Sequence, residues 1–144
     1  MKDYAHTICV TAVPVEALSI VWPSAEKLLS KAIARSNGRY SSTAVLHELL
    51  NRDLALWFVM RGDDIQAAYT TRVVQYPTGA NGLVVDWLGG EEMDGWLPLV
   101  VDSLKRYGMD VGCDHVELVG RSGWLRALKS LGWHSEAVVA RMEL

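Results

Sequence analysis

With 144 residues, half of them apolar and 22% charged, the chain has the size and composition of one globular domain that buries about two-thirds of its unfolded surface. A formal charge of −3 and a pI near 5.8 exclude the general attraction to phosphates on which non-specific nucleic-acid binding rests. No apolar run reaches the length of a membrane span.

The basic residues are scattered. Lys27, Lys31 and Arg35 form an i, i+4, i+8 row that reads as a solvated helix face. The opening MKDYAHTICV lacks the apolar core and cleavage site of a signal peptide, so a cytosolic pool is expected. Cys9 and Cys113 are the only cysteines. Both stand in apolar, strand-like runs and read as buried free thiols in a reducing compartment.

In chain order, Thr7–Val13 is predicted as a first strand, stopped by Pro14. Glu16–Val21 is a turn or short helical piece, and a helix follows from Pro23 to Arg35, with Pro23 in its first turn. Asn37-Gly38 stops that helix. Ser41 and Ser42 can cap a second helix over Thr43–Asn51. Leu54–Met60 and Ile65–Gln75 read as a hairpin about the turn Arg61-Gly-Asp-Asp64. The next strand, Gly82–Leu88, is nearly all apolar and hence central. A Gly- and acid-rich loop, Gly89–Gly95, leads into a helix over Trp96–Tyr107, and His115–Val119 is a strand that completes a parallel crossover. Gly120-Arg-Ser-Gly123 is either a ligand-facing turn or a sharp strand-to-helix joint. A helix carrying Trp124, Leu125, Leu128 and Leu131 ends at Gly132-Trp133, and Ala137–Met142 is expected to close the sheet. The whole is one domain over 1–144, an α/β fold with a mixed central sheet in the order β-α-α-β-β-β-α-β-α-β.

Chemistry-bearing residues are few. No two of His6, His47, His115 and His134 stand at metal-ligand spacing and no Cys-x-x-Cys pair occurs, so no metal is expected. His115 is either satisfied on a sheet face or a general base. Glu117 is useful if it pairs with Arg121 or reaches a cleft. Glu91, Glu92 and Asp94 follow the central strand, where open α/β sheets bind ligands, yet three carboxylates also suit the start of a helix and would repel a phosphate. Of the six tryptophans, Trp57, Trp87, Trp124 and Trp133 fall where large aromatics plug a core. Trp22 and Trp96, at helix starts, are candidate exposed anchors for a protein partner.

In its order of elements the chain resembles the GNAT superfamily of acyl-CoA N-acyltransferases. The runs Leu56-Trp57-Phe58-Val59, Gly120-Arg-Ser-Gly-Trp124 and Leu131-Gly-Trp133 are most similar to those of small GNAT-like proteins of bacteriophages and prophages. The resemblance places the acetyl-CoA loop at Leu88–Gly95, with Leu88, Gly89, Gly90 and Gly95 as its cofactor-binding positions. That loop opens without the family's arginine or glutamine and carries acids where a pyrophosphate would dock. The family's tyrosine proton donor falls at Leu128, which has no proton to give. Taken together, these departures imply a catalytically silent phage protein, a virion, assembly or protein-binding component using no cofactor. Its partners would be phage structural proteins or itself, not nucleic acid or membrane, in host cytoplasm or virion. The alternative implied by the same resemblance is an active acetyl-CoA-dependent N-acetyltransferase, in which Glu117, Asp86 or His115 deprotonates an acceptor amine. A V-shaped splay between Leu83–Leu88 and His115–Val119 would favour that alternative.

Overall fold

Turn chemistry and alternation lay down the antiparallel part of the sheet. The structure, a computed structural model, describes residues 7–144; His6 lies outside them. Strands β1 (Ile8–Val13), β2 (Ala55–Arg61) and β3 (Asp64–Gln75) pair antiparallel in succession. The β2–β3 turn is Gly62-Asp63, with Gly62 at φ 57, a left-handed conformation that glycine adopts without steric cost. Strand β4 (Asn81–Val85) lies antiparallel on β3, and β5 (Leu88–Gly90) lies further along the same strand. The crossover helix α3 (Leu97–Asp110) then returns the chain to β6 (His115–Leu118), which is parallel to β4 as expected. The sheet order is β1-β2-β3-β4-β6, with β5 on β3.

Helices cover both faces. On one side, α1 (Leu18–Ala34) and α2 (Ser42–Leu50) pack with Leu56, Phe58, Ala68 and Trp87 of the sheet. On the other, α3 and α4 (Ser122–Leu128) pack with Val59, Ala67, Tyr69, Leu83 and Val85. Each aliphatic side chain so buried contributes roughly 1.5–3 kcal/mol. The Ser41 hydroxyl accepts from Ala44 N at 3.1 Å and caps α2 as its sequence predicts.

Four expectations are corrected. First, α1 begins at Leu18 and holds Pro23 in its interior. The stripe Leu18, Trp22, Ala25, Leu29, Ile33 buries one continuous face and outweighs the proline. The ring deprives the Ser19 carbonyl of its helical partner on an exposed face where water can serve. Second, Trp22 and Trp96 are 8% and 1% exposed, members of the two cores rather than exposed anchors. Third, Cys9 is exposed on edge strand β1, and Cys113 is half-buried. Fourth, Ala137–Met142 forms no strand. From His134 onward every residue is exposed, so the segment has no sheet face on which to bury its alternation.

Candidate active site

The parallel pair β4–β6 runs from Gly82 opposite His115 to Val85 opposite Leu118, and the Val119 N–H closes it on the Val85 carbonyl at 3.3 Å. Beyond that point β5 continues along β3, while β6 ends. The two strands therefore fork, and the fork opens at Asp86 on one side and Val119 on the other. A bulge lies at its base. Four residues of β3, from Arg72 to Tyr69, are matched by five across from them, from Val84 to Leu88. The extra residue re-aims the side chains around it, so consecutive residues Asp86 and Trp87 both face the α1/α2 side. Asp86 meets Arg72 there, and Trp87 packs in the α1/α2 core with Tyr40 edge-on at 5.2 Å.

A polar cluster occupies that face just below the fork. Arg72 donates from Nε and Nη2 to the two Asp86 oxygens at 2.5 and 3.1 Å. One strand over, Glu117 Oε2 accepts from the Tyr76 hydroxyl at 2.5 Å and lies 2.8 Å from His115 Nε2. The Tyr76 and His115 rings stack at 6.2 Å. Gly82 makes room for this arrangement, since a Cβ there would stand 2.5 Å from Glu117 Oε2 and 3.0 Å from His115 Nε2. Partial burial alone would push Glu117 up. The hydrogen bonds from Tyr76 and His115, with the charges of His115 and Arg72, outweigh it and hold the carboxyl below its ordinary value. The same Glu117 bond pushes the Tyr76 phenol up. Desolvation, aided by the charge of Asp86, raises Glu48 on α2 at the edge of the cluster.

Because the Glu117 carboxyl is depressed in the folded state, its stabilisation is present above the ordinary value of 4.5 and is lost as pH falls through the lower, folded value. Urea unfolding of wild type and Glu117→Gln between pH 3 and 7 is expected to show the two converging at the acid end. A difference independent of pH would contradict this.

Of the three residues expected to act on an amine, the structure joins His115 and Glu117 and sets Asp86 on the same face, both its oxygens engaged by Arg72. Glu117 is engaged by Tyr76 and His115 in place of the expected Arg121. Arg72 and Tyr76 escaped the sequence reading. The signal for them is a cation and a phenol at alternate positions (Thr70, Arg72, Val74, Tyr76) at the end of a strand whose middle is buried.

The cofactor-binding positions fare differently. Leu88 is 6% exposed, in the core. At Gly89 a Cβ would strike the Leu28 carbonyl oxygen of α1, and at Gly90 it would lie 2.5 Å from the Ala67 Cβ and 2.6 Å from the Gln66 carbonyl oxygen. Both glycines are thus required by backbone packing alone. The loop continues through Glu92 at φ 54 and a 3-10 turn over Met93–Gly95. Trp96 Nε1 pins it by donating to the Glu91 carbonyl at 2.6 Å. Glu91, Glu92 and Asp94 point to solvent around the start of α3, and Pro98 removes an N–H from the first turn. Gly95 stands open, and a Cβ on it would lie 4.0 Å from Arg61 Nη2, which places a guanidinium at the start of α3. Leu128 is 3% exposed beneath α3, a packing residue. Gly120 adopts no left-handed angle, and a Cβ on it would lie 3.0 Å from Trp124 Cδ1, so close packing at the strand-to-helix joint accounts for this glycine.

No protein-family model matches the sequence, and no curated protein matches it. Solved structures do match the fold. A ribosomal-protein-alanine N-acetyltransferase from Brucella melitensis superposes with a TM-score of 0.71 at 12% identity, over 96% of this chain and 100% of that one. A predicted acetyltransferase from Clostridium acetobutylicum, solved with acetyl-CoA, gives 0.67 at 13% identity over 95% and 96%. The acetyltransferase AAC(6')-Iy, in complex with the bisubstrate analog CoA-S-monomethyl-acetylneamine, gives 0.70 at 14% identity over 96% and 99%. The chain has the GNAT fold. The expectation that such a chain uses no cofactor is corrected by these neighbours, two of which hold acetyl-CoA or a CoA-linked analogue.

Proposed function

We propose that the chain is an N-acyltransferase that moves an acetyl group from acetyl-CoA to an amine. The observation that carries this reading is the fork between β5 and β6, with a bulge at its base and a proton-accepting cluster directly beneath it. The acyl arm would enter the fork, flanked by the Asp86–Gly90 and Val119–Gly120 backbones. Arg61 and the start of α3 would hold the phosphate end. Acetyl-CoA supplies an acyl group activated as a thioester.

The chain's own residues then have separable tasks. An acceptor amine is protonated in water and needs to lose a proton before it attacks. Glu117, held ionised one residue below the fork, accepts a hydrogen bond from the ammonium. His115 beside it takes the proton and passes it to solvent, to which its side chain is 42% open. Tyr76 fixes the Glu117 carboxylate by donating to the same oxygen that His115 meets. Arg72 and Asp86 neutralise one another and hold the bulge in shape. The protein-binding reading loses the anchors expected for it, since Trp22 and Trp96 are buried.

The test is release of free CoA thiol from acetyl-CoA with a panel of primary amines. Saturable, amine-dependent release is expected; no release with any amine would count against the reading. A second expectation concerns the acidic loop. Replacing its charges together, Glu91→Gln, Glu92→Gln and Asp94→Asn, removes repulsion across solvent and is expected to tighten acetyl-CoA binding about tenfold at low salt, less at high salt. Arg61→Ala is expected to weaken it. Calorimetric titration at two salt concentrations checks both, and unchanged affinities would show that the phosphates bind elsewhere.

A further inference from the structure

Helix α2 turns back into β2 through an arginine where a glycine would be the easier residue. The Arg52 N–H bonds the Leu49 carbonyl at 3.1 Å, and the Asp53 N–H bonds the Glu48 carbonyl at 2.9 Å. This pairing closes a helix with one left-handed residue just past its cap, a position that glycine commonly fills. Arg52 holds it at φ 65, against the steric cost that a Cβ brings there. The side chain recovers little of that cost by itself. It is 71% exposed, and the acid it faces, Glu16, is 78% exposed at 3.9 Å, beyond hydrogen-bond distance. An ion pair so open contributes little.

What Arg52 borders is a cavity of about 210 Å³ between the two helices and the start of β2. Val13, Leu18, Leu49, Leu54 and Leu56 line it, and Arg52 is the one charged residue among the eight that do. The four leucines are each 4% exposed or less, so the walls are fixed parts of the core. At roughly 30 Å³ for each water-sized group, the space holds about seven, too few for a cofactor or drug-sized ligand. It lies at the end of the sheet away from the fork, where β1 stops at Val13 and β2 begins at Ala55. We infer that this cavity binds a short aliphatic monocarboxylate, its alkyl tail among the leucines and its carboxylate on the Arg52 guanidinium. The inference does not depend on the acyl-transfer reading. Walls of this kind take an alkyl chain and would leave a buried polar group without a partner. One guanidinium at the mouth matches one planar carboxylate through two parallel N–H donors. The ligand would displace the loose contact with Glu16, and about five tail carbons would fill the space behind it.

The test is a titration of the full chain with isocaproate, a branched aliphatic acid, read by calorimetry and by backbone amide shifts. Saturable binding at about millimolar concentration or tighter is expected, the range open to so few heavy atoms. The shifts are expected to gather at Val13–Leu18, Leu49 and Leu54–Leu56. Isocaproamide, of the same shape but uncharged, is expected to bind at least about tenfold more weakly. Arg52→Gly separates the site from the fold. Glycine suits a φ of 65, so the urea midpoint is expected to stay near the wild type's, while isocaproate affinity falls at least about tenfold. Absence of saturable binding, or shifts gathered away from the cavity, would overturn the proposal. Equal affinity for acid and amide, or undiminished affinity in a folded Arg52→Gly, would overturn it as well.

Discussion

Gly89→Ala is expected to destabilise the protein by about 3 kcal/mol or more, at the upper end of overpacking costs in tight cores. The added methyl would strike the main-chain carbonyl of Leu28, which cannot rotate aside as a side chain could. Helix α1 cannot retreat either, because Ala25 and Leu29 on the same turns are fully buried against the sheet. Gly95→Ala is the control. Its Cβ would meet only the end of Arg61 at 4.0 Å, and a change within about 0.5 kcal/mol is expected, as for an open surface site. Urea unfolding measures both. Equal, small effects would mean that the helix–strand approach is looser than described.

Glu117→Gln is expected to lower kcat/KM for acetyl transfer by about 100-fold, the lower part of the range for losing a general acid–base partner, while leaving acetyl-CoA affinity within about a factor of two. The amide keeps the shape of the side chain but cannot hold the acceptor's charge or the proton of His115. His115→Ala is expected to cost a similar factor, and the double variant little more, since residues acting as a unit are far from additive. Unchanged turnover in Glu117→Gln would remove the cluster from the chemistry.

Much of the fold is legible in the sequence because it is local. Asn37-Gly38, the Ser41 cap, the Gly62-Asp63 hairpin and the apolar run into β4 each follow from a few neighbouring residues, and so does the parallel crossover. What was hidden depends on partners distant in the chain. Nothing in Val85-Asp86-Trp87 announces a bulge, because the extra residue is defined only against Arg72 and Tyr69 across the sheet. That single residue decides that Asp86 faces Arg72. Pro23 suggested a helix start, yet the burial of Leu18 and Trp22 against the sheet carried the helix past it. Gly89 and Gly90 resembled part of a phosphate loop, and the neighbours that require them, Leu28 and Ala67, lie on other elements. For the site, His115 and Glu117 at alternate positions of one strand were readable as neighbours on one face. Tyr76, forty-one residues away from Glu117, was not.

The most direct test of the account is a nuclear magnetic resonance titration of the backbone amides with acetyl-CoA. Saturable shifts concentrated at Asp86–Gly90, Val119–Gly120 and the start of α3 are the predicted result. No saturable shift up to millimolar acetyl-CoA, or shifts gathered away from the fork, would contradict it.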